Sequence, residues 1–371
     1  MTPGEEGEVW FPEPSRADDA AGYRGEHTTD WLRRSTHPRA EAARRFLNEN
    51  LSALPQEHRG ALYRMLHERW HSAFFELIVG RTLQALGATI EVEPGGASDT
   101  RVDFVARFPD TTVAVEAVSP VFGSEVGETA KRRNPLLDIV ESESPPRVWV
   151  MVSSLPDLGP QDSKKRFRST LRRLLAEAGD VTSSPVEVAE ELPEGTLRLR
   201  LVKKGVGVSP GRSVGIEPAL TTWDDTERRV RRAIARKRRQ GRQAGVPALV
   251  AVHATGIASS YEEVDMALFG REVATAGSDG HLLGTRFEAD GVFAGGSGKP
   301  TWAAALVFLN VGFLGGPDPV MYLHPRFEGR LPEALQALER RTYDAEVGAI
   351  LTEEPSSTGV LGALRFVSRD V

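Results

Sequence analysis

The chain's most suggestive chemistry is a pair of carboxylates. Residues 101–118 read as two strands, Arg101-Val-Asp-Phe-Val-Ala-Arg-Phe108 and Thr111-Thr-Val-Ala-Val-Glu-Ala-Val118, joined at Pro109-Asp110. Side chains alternate along a strand, so Asp103 and Val105 share one face while Phe104 and Ala106 share the other. If the turn is centred on Pro109-Asp110, Phe108 faces Thr111, and five steps further back Asp103 faces Glu116. Directly opposed residues have Cβ atoms about 4.5–5.5 Å apart, and like charges placed so repel. A divalent cation turns that repulsion into a chelate. The inference depends on register, because a turn shifted by one residue sends the two carboxylates to opposite faces.

A third acid lies upstream. In Trp70-His-Ser-Ala-Phe-Phe-Glu-Leu-Ile-Val-Gly80, Glu76 sits among apolar residues, with Ala73, Gly80 and Leu83 as its helical neighbours. A glutamate on such a stripe is costly unless it is paired, hydrogen-bonded or bound to metal. The simpler reading is a salt bridge to one of the many arginines. Basic residues gather in two predicted helices. One carries Lys164, Lys165, Arg166, Arg168, Arg172 and Arg173. The other carries Arg228, Arg229, Arg231, Arg232, Arg236, Lys237, Arg238, Arg239 and Arg242. Such density suits a polyanion, although a solvated helix face would look the same.

Other motifs compete. His67-Glu-Arg-Trp-His71 is a literal H-E-x-x-H. On one helix face the two imidazoles could bind Zn²⁺ with Glu68 as general base, and Glu91 or Glu93 as third ligand. Arg69 places a charge inside that motif, and no histidine follows at metzincin spacing. Gly295-Gly-Ser-Gly-Lys-Pro300 fails as a phosphate-binding loop, since Phe293 and Pro300 replace required residues and a strand follows. Gly205-Val-Gly-Val-Ser-Pro-Gly211 reads as a turn between strands. No G-x-S-x-G elbow supports acyl transfer, and His253 and His281 read as structural or incidental.

These groups must be positioned by an alternating set of elements. Helices are expected over residues 38–54, 57–86, 134–142, 162–178, 225–240 and 261–269. Strands are expected near 88–93, 101–108, 111–118, 147–153, 196–204, 248–253, 285–294, 301–311 and 319–324, with 185–194 a loop. This alternation implies an α/β fold with a mixed sheet and helices on both faces. Residues 1–30 carry Glu5, Glu6, Glu8, Glu13, Asp18, Asp19, Glu26 and Asp30 against Arg16 and Arg24, and read as an acidic, weakly ordered arm. Residues 31–335 form the expected domain, and 336–371 a helix and tail. Of 371 residues, 40% are hydrophobic and 26% charged, so wholesale disorder is excluded. No cysteine is present, which excludes a disulfide scaffold, a cysteine-ligated metal and thiol catalysis. The net charge of −6 argues weakly against nucleic acid, but the charge is segregated along the chain. No apolar run is long enough for a membrane span, and no signal peptide is visible, so a cytoplasmic protein without membrane contact is expected.

The order of these motifs resembles the PD-(D/E)XK restriction-endonuclease-like superfamily, and within it the actinobacterial nuclease-like proteins. The resemblance rests on the helix with a buried Glu76, the strand Ile90-Glu-Val-Glu-Pro94, Asp103-Phe104, and Val115-Glu-Ala117. It extends through Lys237, the strand ending at His253, Ala267-Leu-Phe-Gly270 and the apolar strand near 301–311. It implies a three-layer core and Mg²⁺- or Mn²⁺-dependent phosphodiester hydrolysis, with DNA as substrate. Asp103 and Glu116 would ligate the metal, and Glu76 would assist directly or through water. Arg228, Arg232, Arg236, Arg239, Lys164, Lys165, Arg168 and Arg172 would hold the nucleic-acid backbone. Val102 replaces the motif's proline, and Val118 stands where its lysine is expected. In some relatives a neighbouring helix supplies that lysine. Lys237 is the candidate here, being the one Lys among many Arg, and able to shed its proton when desolvated. A chain lacking that lysine would be a catalytically silent nucleic-acid-binding module.

Overall fold

The computed structural model describes residues 9–16, 18, 26–92, 102–120, 124–159, 164–179, 181, 184–205, 213–216, 226–254, 260–276, 278, 281–288, 290–294, 299–309, 311 and 318–355. In chain order come α1 (Thr28–Arg34), α2 (Pro38–Ser52), α3 (Gln56–Glu68), α4 (Trp70–Ala85), β1 (Thr89–Val92), β2 (Phe104–Arg107) and β3 (Thr112–Val118). Next are α5 (Ser124–Glu143), β4 (Val148–Ser154), α6 (Lys164–Glu177), β5 (Val186–Leu192), β6 (Gly195–Lys203) and β7 (Val214–Ile216). They are followed by α7 (Thr226–Arg236), α8 (Arg238–Gln243), β8 (Ala248–Ala254), α9 (Tyr261–Phe269), β9 (Glu272–Ala276) and β10 (Leu282–Phe287). The chain continues with β11 (Ala304–Leu309), β12 (Val320–Leu323), a 3-10 turn (Glu333–Ala337), β13 (Glu339–Asp344) and β14 (Ala349–Glu353).

The chain divides into two compact units. One comprises Met1–Glu13, Pro38–Val121 and Asp224–Val371, the other Pro14–His37 and Phe122–Trp223. The first is built on an eight-stranded mixed sheet in the order β1-β2-β3-β8-β11-β12-β13-β14, with β3, β8 and β11 mutually parallel. Every residue of β8 is buried, as a continuous apolar run requires when helices cover both faces. On one face α4 presses Gly80 close to Phe104 and Ile90, while Phe75 meets Phe308 edge-on with centroids 5.2 Å apart. On the other, Val230 and Ile234 of α7 and Val264 and Leu268 of α9 pack with Ala114, Val118, Val250, Val252 and Val307. Each fully buried aliphatic side chain here contributes about 1.5–3 kcal/mol of burial free energy.

The second unit holds a four-stranded sheet, β5-β6-β4-β7. Leu197, Leu199 and Leu201 alternate inward on β6 against Leu136, Val140, Phe167 and Leu171 of α5 and α6.

The chain is thus α/β with a large mixed sheet flanked by helices, as the alternation of elements implies. Several elements differ from expectation. The helix expected over 57–86 breaks at Arg69 (φ −140°, ψ 58°), and that over 225–240 breaks at Lys237. Residues 185–194 are not a loop. Val186, Val188, Glu190 and Leu192 are half-buried, alternating with exposed residues, and β5 pairs Glu187 across from Arg200. The C-terminal helix is replaced by the 3-10 turn and the hairpin β13–β14, which turns near Gly348 (φ +70°). Glu339-Arg-Arg-Thr-Tyr-Asp344 gains more as a ladder beside β12 than its helix-forming residues gain locally. Strand expected over 285–294 stops at Phe287. Trp10 and Phe11, within the acidic N-terminal stretch, are buried, with rings 5.2 and 5.3 Å from that of Tyr63. Residues 356–371, Glu93 and most of both glycine-rich loops lie outside the described residues.

Candidate active site

The β2–β3 register is the expected one. Phe104 pairs with Val115, Val105 with Ala114, Ala106 with Val113 and Arg107 with Thr112. One residue beyond, the Asp103 carboxylate accepts a hydrogen bond from the Ala117 N–H at 2.7 Å, which ties it beside Glu116. Glu116 lies on the central part of the sheet, its backbone alongside Val250 of β8, and its side chain is wholly buried.

Lys237 arrives from the opposite layer. On α7 the buried positions are Thr226, Val230 and Ile234, and that stripe continues three residues later at Lys237. The helix breaks there: Lys237 has φ −95° and ψ 3°, and its N–H reaches the Ile234 carbonyl at 3.1 Å. Its ammonium donates to Glu116 Oε1, and a third of the lysine side chain stays exposed. Glu116 Oε2 is buried without a hydrogen-bond partner, an uncommon and costly state for a carboxylate oxygen.

Burial and the Asp103 charge push the Glu116 carboxyl up to about 7, against the opposing pull of Lys237. Burial alone would lower the lysine. The Glu116 hydrogen bond and the charges of Glu116, Asp103 and Glu76 outweigh it, and the Lys237 pKa is raised. The ammonium is therefore held charged, contrary to the expectation that desolvation would free its proton.

Glu76 comes from α4, on the face opposite α7, and is half-buried. It acts on the site through its charge on Lys237. Val118 belongs to the core with Val230 and Ile234 and is nearly inaccessible. The strand position expected for the motif lysine thus lies under α7, and the cation arrives from the end of that helix instead. Among the described residues no cluster of three or more His, Asp or Glu forms a ready metal cage. The donor set available to a cation is Asp103 with Glu116: two hard oxygen ligands, one carrying an unsatisfied buried atom. That suits Mg²⁺ or Mn²⁺, which commonly take one or two carboxylates and complete their shell with water and phosphate.

The basic residues fall into two groups. On α6, Arg168 and Arg172 are both drawn to Glu143, at 3.1 and 2.6 Å, whereas Lys164 and Lys165 are exposed without an ion pair among the described residues. On α7, Arg231 is spent on Asp290, Glu227 and the Met266 carbonyl, and Arg229 on the Pro120 carbonyl. Arg228, Arg232, Arg236 and Arg239 are exposed, and the last three make no ion pair among the described residues.

The H-E-x-x-H reading loses its premise. His67 lies in the last turn of α3, its Nδ1 2.9 Å from the Tyr63 carbonyl, and His71 belongs to the next helix beyond the Arg69 break. His253 is structural: it stacks on Phe75 at 5.0 Å, its Nδ1 faces Ser119 Oγ at 3.2 Å, and burial holds it neutral with a pKa of about 4. No helix among the described residues is long and apolar enough to cross a membrane. Comparison with protein-family models, with curated proteins and with solved structures gives no match to this chain.

Proposed function

We propose that this chain is a metal-dependent phosphodiesterase acting on nucleic acid, DNA in the first instance, with a restriction-endonuclease-like core. The observation that carries the reading is the convergence of Asp103, Glu116 and Lys237 from three separate segments around one wholly buried carboxylate. A stable sheet has no need of such a group, since removing a carboxylate from water costs several kcal/mol.

Asp103 and Glu116 would hold a divalent ion, which supplies Lewis acidity and a more acidic water when bound. Asp103 is oriented for this by the Ala117 N–H. Lys237, kept cationic and one third exposed beside Glu116, can oppose the negative charge that grows on the phosphoryl oxygens during in-line attack. In that step the water oxygen forms the new P–O bond and gives up one proton to solvent, while the departing alkoxide leaves with its electron pair and takes a proton from solvent. Arg232, Arg236 and Arg239 on α7 and α8, exposed and without an ion pair among the described residues, would hold the phosphate backbone, without base reading. On α6 that role falls to Lys164 and Lys165, since Glu143 engages Arg168 and Arg172.

One observation favours a second reading, a silent binding module: Lys237 itself pairs with Glu116 and offsets its charge. A cleavage assay on plasmid, linear DNA and RNA with Mg²⁺ or Mn²⁺ separates the two. Hydrolysis that falls about 100-fold or more in Asp103→Ala and Lys237→Ala supports the enzyme. Binding without cleavage supports the module, and cleavage that survives Asp103→Ala defeats the assignment.

A further inference from the structure

A second feature of the same unit lies outside the carboxylate site. A cavity of about 840 Å³ opens where the end of α8, the segment before β11 and the turn after β12 meet. Its basic walls are Arg242, Lys299 and Arg326, opposed by one acid, Glu328, and its apolar walls include Pro300 and Phe327. Arg242 and Lys299 are exposed and make no ion pair among the described residues. Among the described residues Arg242 makes one side-chain hydrogen bond, to Thr301 Oγ1 at 3.4 Å. The Phe327 ring lies against Gly329 so closely that a Cβ there would stand 2.4 Å from it, so the glycine is what lets the ring settle in that position. Phe327 also lines a neighbouring cavity of about 380 Å³, so one aromatic ring stands between two hollows. The arginines of that neighbour are already engaged, Arg330 by Glu333 at 2.8 Å and Arg340 by Glu353.

The larger cavity falls within the range of small-ligand sites, about 300–1,000 Å³. It pairs Arg242 and Lys299, two exposed cations without an ion pair among the described residues, with a seated aromatic ring, which is what a ligand carrying both phosphate and a flat base requires. We propose that this cavity is a non-catalytic nucleotide-binding site, with the phosphate on Arg242 and Lys299 and the base stacked on Phe327. The nucleotide is either free or one unit of a single strand. The site shares no residue with Asp103, Glu116 and Lys237, so it stands or falls apart from the hydrolytic reading.

The test uses the full chain carrying Asp103→Asn, so that a bound strand stays whole. Fluorescein-labelled dT12 and its abasic counterpart are titrated by anisotropy. Arg242→Glu with Lys299→Glu should weaken both strands by about 10-fold or more, whereas Arg242→Lys with Lys299→Arg should hold affinity within about twofold. Phe327→Ala should weaken dT12 by about 5- to 10-fold and leave the abasic strand unchanged, while Phe327→Tyr keeps dT12 binding. Competition by ADP would assign the site to free nucleotides, and failure to compete would assign it to strands; both retain the shared chemistry. Absence of dT12 binding, affinity unmoved by the double charge reversal, or equal loss on both strands in Phe327→Ala overturns the proposal.

Discussion

At the scale of single residues, Glu116 governs the behaviour of the site. Its carboxyl is raised from an ordinary value of 4.5 to about 7. The native state therefore binds a proton that the unfolded chain releases above pH 4.5. The contribution of this group to stability is fully present below that pH and is lost as pH climbs through 7. Its size is on the order of 3 kcal/mol. Denaturant unfolding at a series of pH values should show Glu116→Gln gaining on the wild type by about that amount between pH 4.5 and 8. A constant difference across that range would remove Glu116 as the titrating group. Under the hydrolytic reading the same ionisation sets activity, since only the carboxylate form takes a cation. At sub-saturating Mn²⁺, where proton and metal compete for Glu116, kcat/KM should accordingly rise with pH through the acidic range and level off above neutrality. A rate flat from pH 5.5 to 8 would contradict this.

At the scale of elements, the position of Lys237 follows from how α7 meets the sheet. Val118 points into the cluster that seats Val230 and Ile234. A lysine placed there would be buried without a counter-ion, so Val118→Lys should destabilise by about 3–5 kcal/mol and should not rescue Lys237→Met. Thermal unfolding and the cleavage assay read the two outcomes. A stable, active double variant would show that the strand position can serve after all. Within α8, Gly241 lies against Trp302, and a Cβ there would fall 2.8 Å from its ring. Gly241→Ala should therefore cost about 1–3 kcal/mol by overpacking.

These elements also show what could be read from the chain and what could not. Pro109-Asp110 and alternation on both sides were enough to fix the β2–β3 register, which brings Asp103 beside Glu116. The apolar runs at β8 and β11 announced central strands. The breaks at Arg69 and Lys237 left no such mark, because neither is a proline or a glycine and periodicity continues across each. Lys237 did carry a signal: it falls on the stripe of Thr226, Val230 and Ile234, where a charged residue needs a buried partner. β5 was hidden by its glutamates, which an edge strand tolerates when Arg200 lies across the ladder. The cavity beside Phe327 was illegible, since Arg242, Lys299 and Arg326 come from three distant segments.

At the scale of the whole molecule, a net charge of −6 conceals a strongly basic helix pair. Among the described residues Arg232, Arg236 and Arg239 make no ion pair, whereas Arg229, Arg231, Arg168 and Arg172 serve internal partners. Only uncommitted cations release counter-ions on binding a polyanion. Reversing Arg232, Arg236 and Arg239 to Glu should lower the slope of log affinity against log salt by about 3 on duplex DNA. Reversing Arg168 and Arg172 should change it much less. The central claim is the proposed binding of a cation by Asp103 and Glu116, and titration with Mn²⁺ followed by the electron paramagnetic resonance of the free ion tests it most directly. The account predicts about one bound ion per chain at pH 8, weakened about 10-fold or more by either Asp103→Asn or Glu116→Gln. Unchanged binding in both variants, or no binding by the wild type, would contradict it.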